Sequence, residues 1–276
     1  MLSAHPSTPI LDRALALLAT GPQSAEVLVR DVMGLPAAPA PVAARLAAAL
    51  LGADPRVSQL SDGRWAMVSA ATGTPLLDDL AFAVVDVETT GLSAEHGRVI
   101  EVGVVVVQGT TREIVLDRLV NPGQPLSPQI TAVTKLTDHD LRDAPAFHAI
   151  ADEVVQSLSG RVFVAHNARF DWSFITTELT RTRGMSLSGP QLCTARLARR
   201  LVPDAESCGL DWLSTRFNLE NPARHRAVGD AWATAGLLLL LLERARREGA
   251  RTLDDLAGLQ APRMSGRRSS RPPREG

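Results

Sequence analysis

"FAVVDVETTGL", residues 82–92, opens as an apolar, β-branched run and then sets two carboxylates, Asp86 and Glu88, two positions apart before a Thr-Thr-Gly turn. Side chains alternate along a strand, so Asp86 and Glu88 share one face while Val85 and Val87 face the opposite layer. Two like charges held that close repel and raise each other's pKa unless a cation sits between them, and hard divalent ions such as Mg²⁺ suit clustered carboxylate oxygens. Taken alone, the stretch reads more simply as a strand end reaching solvent, and its partners decide.

Outward from this strand the pattern is α/β. Strands are expected at 82–87, 98–107, 112–119 and 161–165, with a weaker one near 191–193; helices are expected at 146–158, 171–183, 194–200, 208–217 and 227–247. Three strands with short connections, then strands separated by helices, make an antiparallel meander extended by βα units. Ahead of it lie three helical stretches, "LDRALALLAT", "SAEVLVRDVMG" and "APVAARLAAALLGADP". They are followed by "RVSQLSDGRWAMVSA", in which Asp62-Gly63 is a hairpin turn signal. Three helices and a wing predict a small winged-helix-like N-terminal domain over 1–75. Its third helix offers only Arg45 and its wing only Arg64, which favours packing or protein contact over base reading. The small-residue linker "SAATGTPLLDD" (69–79) leads to a second domain over 80–250. The Pro-, Ser- and Arg-rich stretch 261–276 predicts a disordered basic tail.

The 276 residues suffice for a sizeable core, and the net charge of −1 gives no global basic field, so nucleic-acid contact has to come from a local patch. Two cysteines, Cys193 and Cys208, make neither a disulfide framework nor a metal knuckle. The N-terminus lacks a signal pattern and the longest apolar run, "AGLLLLLLERARREG", charges too soon to span a bilayer. A cytoplasmic protein without a membrane partner is expected.

Two further stretches carry polar residues that a simple core does not need. In "VFVAHNARFDWSFI" a strand runs out into His166 and Asn167, and Asp171 opens an apolar-periodic helix. In "HRAVGDAWATAGLL" His225 precedes a helix and Asp230 lies in its first turns. An acidic residue in a first turn also complements the helix dipole, which is the plainer account of Asp171. Asp230 is harder to dismiss, because its helix is apolar enough to be buried and a buried unpaired carboxylate is costly.

"VVDVETTGL", "VAHNARFD" and "HRAVGDA" together resemble, in order and spacing, the three motifs of the DEDD-type 3′–5′ exonucleases, the family that includes the epsilon subunit of bacterial DNA polymerase III. "RVIEVGVVVV" and "NPGQPLSPQITAVTKLTDHDL" resemble supporting segments, and the match spans roughly 80–248. The resemblance implies a ribonuclease H-like fold, a mixed five-stranded sheet flanked by helices. It also implies that Asp86, Glu88, Asp171 and Asp230 hold two Mg²⁺ or Mn²⁺ ions, with His225 as general base. The chain contains no tyrosine, which excludes the tyrosine branch of the family and leaves the histidine (DEDDh) branch or an inactive member. In this chemistry one metal activates a water whose proton an imidazole of ordinary pKa about 6.5 can take, and the other stabilises the leaving 3′ oxygen.

Thr89, Thr90 and Leu92 resemble positions that meet the terminal nucleotide through backbone amides and an apolar wedge, though two β-formers and a core leucine explain them as well. His166 and Asn167 either orient Asp171, touch the substrate, or form a hydrogen-bonded turn. Glu101 matches an acidic residue close to the family's site, as a structural group. The family often has Asp before the Thr of "CTARL"; here it is Cys193. The implied function is release of nucleoside 5′-monophosphates from single-stranded or frayed 3′ ends, DNA favoured, in repair or proofreading, with a DNA polymerase or repair protein as partner through the N-terminal domain. RNA 3′-end trimming and a DNA-binding regulator with a non-catalytic nuclease half are the alternatives; the intact five-residue set disfavours the latter.

Overall fold

A computed structural model describes residues 5–54, 56–68 and 75–261. The basic tail from 262 onward and linker residues 69–74 lie outside the described residues. Strand β1 (His5–Ser7) leads into helix α1 (Pro9–Leu18), whose N-cap Thr8 accepts from the Leu11 amide and whose leading proline loses no helical donor. Helix α2 (Ala25–Met33) starts on Ser24 and stops at Gly34, left-handed at φ 70°. Helix α3 (Ala40–Leu51) precedes a hairpin of β2 (Val57–Gln59) and β3 (Trp65–Met67) that turns through Gly63 at φ 84°, as expected. Ala14, Ala43 and Ala47 let the three helices approach closely around Leu18, Leu28 and Leu51, giving this unit its own core.

The α/β part opens with the meander β4 (Ala81–Thr89), β5 (Val99–Gln108) and β6 (Thr111–Leu119). Helices α4 (Pro128–Thr134), α5 (Asp138–Leu141) and α6 (Phe147–Leu158) follow, then β7 (Val162–Ala165), α7 (Ala168–Arg183), β8 (Ser186–Ser188) and β9 (Gln191–Cys193). The chain continues through α8 (Thr194–Leu201), α9 (Leu210–Phe217), α10 (Ala227–Arg247) and α11 (Leu253–Leu259). The mixed sheet has the order β6-β5-β4-β7-β9, with β7 parallel to β4 and β9 parallel to β7. All five expected strands are present, and β4, buried on both faces, reads as a near-continuous apolar run for that reason.

The period-two alternation sorts β4 onto two layers. Phe82 and Val84 pack with Leu197, Leu237, Leu238 and Leu241 under α8 and α10. Ala83, Val85 and Val87 pack with Phe147, Phe174 and Ile175 under α6 and α7. Asp86 and Glu88 continue the first of these faces to the carboxyl end of the strand.

Three features differ from expectation. Helix α7 starts at Ala168, three residues before Asp171, and α4, α5 and α11 lie where no helix is expected. The domain division at 75 is crossed: β1 pairs with β8, and Arg56 Nη1 donates to Ser188 Oγ at 2.9 Å. The α/β core also runs past 250, since Leu253 and Leu256 are buried in it. Among the described residues no helix is long and apolar enough to cross a membrane.

Candidate active site

At the carboxyl end of β4, one oxygen each of Asp86, Glu88 and Asp230 lie within 4.8 Å of one another. Asp230 arrives from the first turn of α10, which can sit this low because Gly103, opposite Asp86 in the β4–β5 register, has no side chain. A Cβ there would lie 2.5 Å from the Val228 amide nitrogen and 2.6 Å from the Ala227 carbonyl carbon. The helix N-terminus therefore lies directly on the sheet beside Asp86, and its amide dipoles favour negative charge there.

The fourth carboxylate comes from the opposite layer. Asp171, 3 % exposed, accepts from the Val87 amide at 3.2 Å. That donor is free because β7 pairs with β4 only through Val84, after which the strands part. Its place in α7 depends on Asn167, which holds the helix start at φ 78°, a left-handed conformation that Asn tolerates better than most residues. Asp171 thus stands outside the three-oxygen cluster but close enough for its charge to raise the pKa of Asp86.

Burial and mutual repulsion dominate the electrostatics. Desolvation first, then Asp171, Asp230 and Glu88, push Asp86 well above the ordinary carboxylate range. Glu88 rises to about 7, through burial and the neighbouring Glu101 and Asp230, with Arg226 pulling the other way. Asp171 rises to about 8, chiefly through burial. Asp230 is raised by burial, with the Asn221 hydrogen bond and His225 opposing. A set of hard oxygen donors so reluctant to ionise together fits a divalent cation, whose charge removes the repulsion.

His225 sits at φ 62° in the turn just before α10, a conformation that costs a non-glycine residue about 1–2 kcal/mol. Two contacts hold that turn. Asn221 Nδ2 donates to Asp230 Oδ1 at 2.6 Å, and Gly229 lets the Ala223 carbonyl approach so closely that a Cβ would meet it at 2.0 Å. Sequence reasoning misses Asn221; a glycine inside a helical pattern at 229 is the visible sign of a close approach.

The other expected contacts are mixed. Leu92, four residues after Glu88, is 91 % exposed, so it is not a core leucine. The Thr90 amide already donates to the Arg98 carbonyl, and its hydroxyl accepts from Arg98 N and Gln124 Nε2. Thr89 is buried and its hydroxyl donates to the Gly91 carbonyl. His166 Nδ1 meets Thr194 Oγ1 at 2.9 Å, so its contact is to α8, not to Asp171. Burial lowers its pKa, favouring the neutral ring.

A sheet of this order with a carboxylate cluster at the end of its first long strand defines a ribonuclease H-like nuclease. The chain belongs to the exonuclease family (RNase_T), whose profile matches residues 83–238. The DNA polymerase III PolC-type protein of Bacillus subtilis is 35 % identical over 182 residues, 66 % of this chain and 13 % of that protein. Its namesake from Caldanaerobacter subterraneus subsp. tengcongensis is 34 % identical over 175 residues, 63 % of this chain and 12 % of that protein. The match thus spans about an eighth of the length of these curated relatives. The structure of E. coli Exonuclease I in complex with a dT13 oligonucleotide superposes with a TM-score of 0.51 at 17 % identity, over 62 % of this chain and 42 % of that one, and so shares the fold.

Proposed function

We propose that the protein is a DEDDh-type 3′–5′ exonuclease that hydrolyses terminal phosphodiesters of DNA, releasing nucleoside 5′-monophosphates. The observation that carries this is the convergence of Asp86, Glu88 and Asp230, with Asp171 behind them, at one strand end. These residues would hold two Mg²⁺ or Mn²⁺ ions, which when bound supply an acidified water and charge stabilisation for the leaving oxygen. His225, in its strained turn next to Asp230, takes the proton of the attacking water. Leu92 stacks against the terminal base, and the turn at 89–91 shapes the floor below the sugar. His166, tied to Thr194, and Asn167 border the same end of the sheet.

The three-helix and hairpin unit is read as a winged-helix-like domain that meets a protein partner, a polymerase or repair protein. Exposed Ile10 on α1, Leu35 just after α2 and Val42 on α3 support protein contact over DNA reading. Proofreading or repair is the role such an exonuclease would serve.

The test is time-resolved cleavage of 5′-labelled single-stranded DNA, a duplex with a mispaired 3′ end, and RNA, with Mg²⁺ and with EDTA. A ladder shortening from the 3′ end that needs the metal and vanishes in Asp86→Ala is expected. Undiminished cleavage by that variant sinks the site assignment.

A further inference from the structure

Helix α8 reads "TARLARRL" and holds three arginines and no acid. Leu197, Ala198 and Leu201 face the core, which turns Arg196, Arg199 and Arg200 outward. Arg200 reaches Glu248 at 3.7 Å, whereas among the described residues Arg196 and Arg199, one turn apart and exposed, enter no ion pair. In a chain of net charge −1, two adjacent uncompensated cations are a local field that overall composition does not explain.

These arginines line a groove of about 530 Å³ between α8 and the end of α11, closed by Pro203, Leu259 and Gln260. The far wall is fixed. Gln260 Oε1 accepts from the Cys193 amide at 2.9 Å, and its Nε2 donates to the Gln191 carbonyl at 2.8 Å, so its amide completes the outer edge of β9.

Helix α8 begins at the end of the sheet that carries the carboxylates. β4, β7 and β9 are successive neighbours running in the same direction, so Glu88, His166 and Thr194 emerge at one end of the sheet. Two strand spacings separate β4 from β9, roughly 10 Å. His166 bridges the gap by its bond to Thr194, the first residue of α8.

We propose that this groove carries the phosphate backbone of the strand whose 3′ end enters the carboxylate site, with Arg196 and Arg199 neutralising phosphates upstream of the cut. The inference rests on the nuclease reading above. A distance of roughly 10 Å corresponds to about three phosphates at stacked spacing, so the contact begins beyond the third nucleotide. The sequence after Ala261 holds five arginines and one acid, Glu275, so its charge matches that of Arg196 and Arg199 rather than complementing it.

The experiment measures binding of the full-length protein to fluorescent single-stranded DNA of about twenty nucleotides and to a dinucleotide across a salt series, beside cleavage of both. In Arg196→Gln/Arg199→Gln, whose side chains are exposed, the slope of log affinity against log salt falls by about 1.4, or about 0.7 for each phosphate that is no longer neutralised. The loss in kcat/KM is confined to the longer strand and appears in KM. An unchanged slope, an equal loss on the dinucleotide, or equal affinity for polyglutamate overturns the groove assignment while cleavage stands. A wild-type protein that neither binds nor cleaves the long strand overturns the nuclease reading, and this inference with it.

Discussion

Glu101, with no exposed surface, accepts from Arg226 Nε at 2.9 Å and from the Ala227 amide at 3.1 Å, and pairs with Arg226 Nη2 at 2.7 Å. It is the register partner of Glu88, so two carboxylates face each other across β4 and β5, and of the two only Glu101 forms an ion pair among the described residues, with Arg226, whose charge also lowers the pKa of Glu88. The pair fixes the first residues of α10, and with them the turn holding His225 and the helix holding Asp230. Arg226→Ala leaves a buried carboxylate without its cation, at a cost of about 3 kcal/mol when such a pair is broken. Chemical unfolding should show that loss, with kcat falling more than KM rises. Wild-type stability and kcat in this variant mean that the pair positions nothing.

Gly103 sets the height of α10 over the sheet. In Gly103→Ala the new methyl meets backbone atoms of Ala227 and Val228, which cannot swing aside as a side chain can. Overpacking of this kind costs about 1–3 kcal/mol. The shift displaces Asp230 from Asp86 and Glu88, so Mg²⁺ affinity, read by titration calorimetry, should fall along with the melting temperature. A folded variant that binds Mg²⁺ normally counts against this account.

Removing one carboxylate should separate stability from activity. In EDTA, Asp86 is held against desolvation and four acidic neighbours, Asp171, Asp230, Glu88 and Glu101. Asp86→Asn relieves that repulsion, and near pH 8 it should melt above the wild type in EDTA while losing cleavage. Adding Mg²⁺ reverses the order, since a ligand at a hundred times its Kd stabilises the wild type by about 2.7 kcal/mol. A variant that melts below the wild type in EDTA shows that Asp86 is structurally needed.

The metal-free protein should also lose stability as pH rises. Glu88 and Asp171 titrate at about 7 and about 8 when folded, against 4.5 and 3.8 as reference values. Folded molecules therefore hold protons that unfolded ones have released, and stability present below about pH 4 drains away as pH climbs through 7 and 8. Melting temperature in EDTA should fall from pH 5 to 8, and saturating Mg²⁺ should flatten the profile. A rising profile in EDTA contradicts the burial of these carboxylates.

The legible parts of this site are those with a period or a motif. Alternation puts Asp86 and Glu88 on one face, and the apolar helix after residue 227 marks Asp230 as buried; the structure brings the three carboxylates together, with Asp230 half-buried at the start of α10. What escapes is tertiary. Asn221 binds Asp230 across a loop whose fold depends on Gly229, and nothing local to Asn221 announces it. β1 and β8 are three residues each, too short for any alternation to register, and they exist only because each supplies the other's hydrogen bonds. Helices α4 and α5 are likewise shorter than two or so turns. The capping boxes of α5, Thr137 with Asp140, and of α11, Thr252 with Asp255, are nonetheless present in the sequence.

Truncation tests the division of labour between the two units. A chain beginning at residue 76 keeps the Leu76 bridge to Thr252 and the Leu77 amide bond to the Arg251 carbonyl, which anchor the start of the α/β unit. It loses β1 and Arg56, leaving β8 unpaired and the nearly buried Leu187 open to water. That should lower stability by about 1–2 kcal/mol. Because β8 follows the far end of α7, some 15 residues and therefore about 20 Å from Asp171, the carboxylates should be untouched and Mg²⁺-dependent cleavage retained. Partner or substrate choice should change, read by comparing cleavage of single-stranded DNA, mispaired duplex and RNA. If the shortened protein is folded by circular dichroism yet inactive, the N-terminal unit completes the active site and the two are not separable.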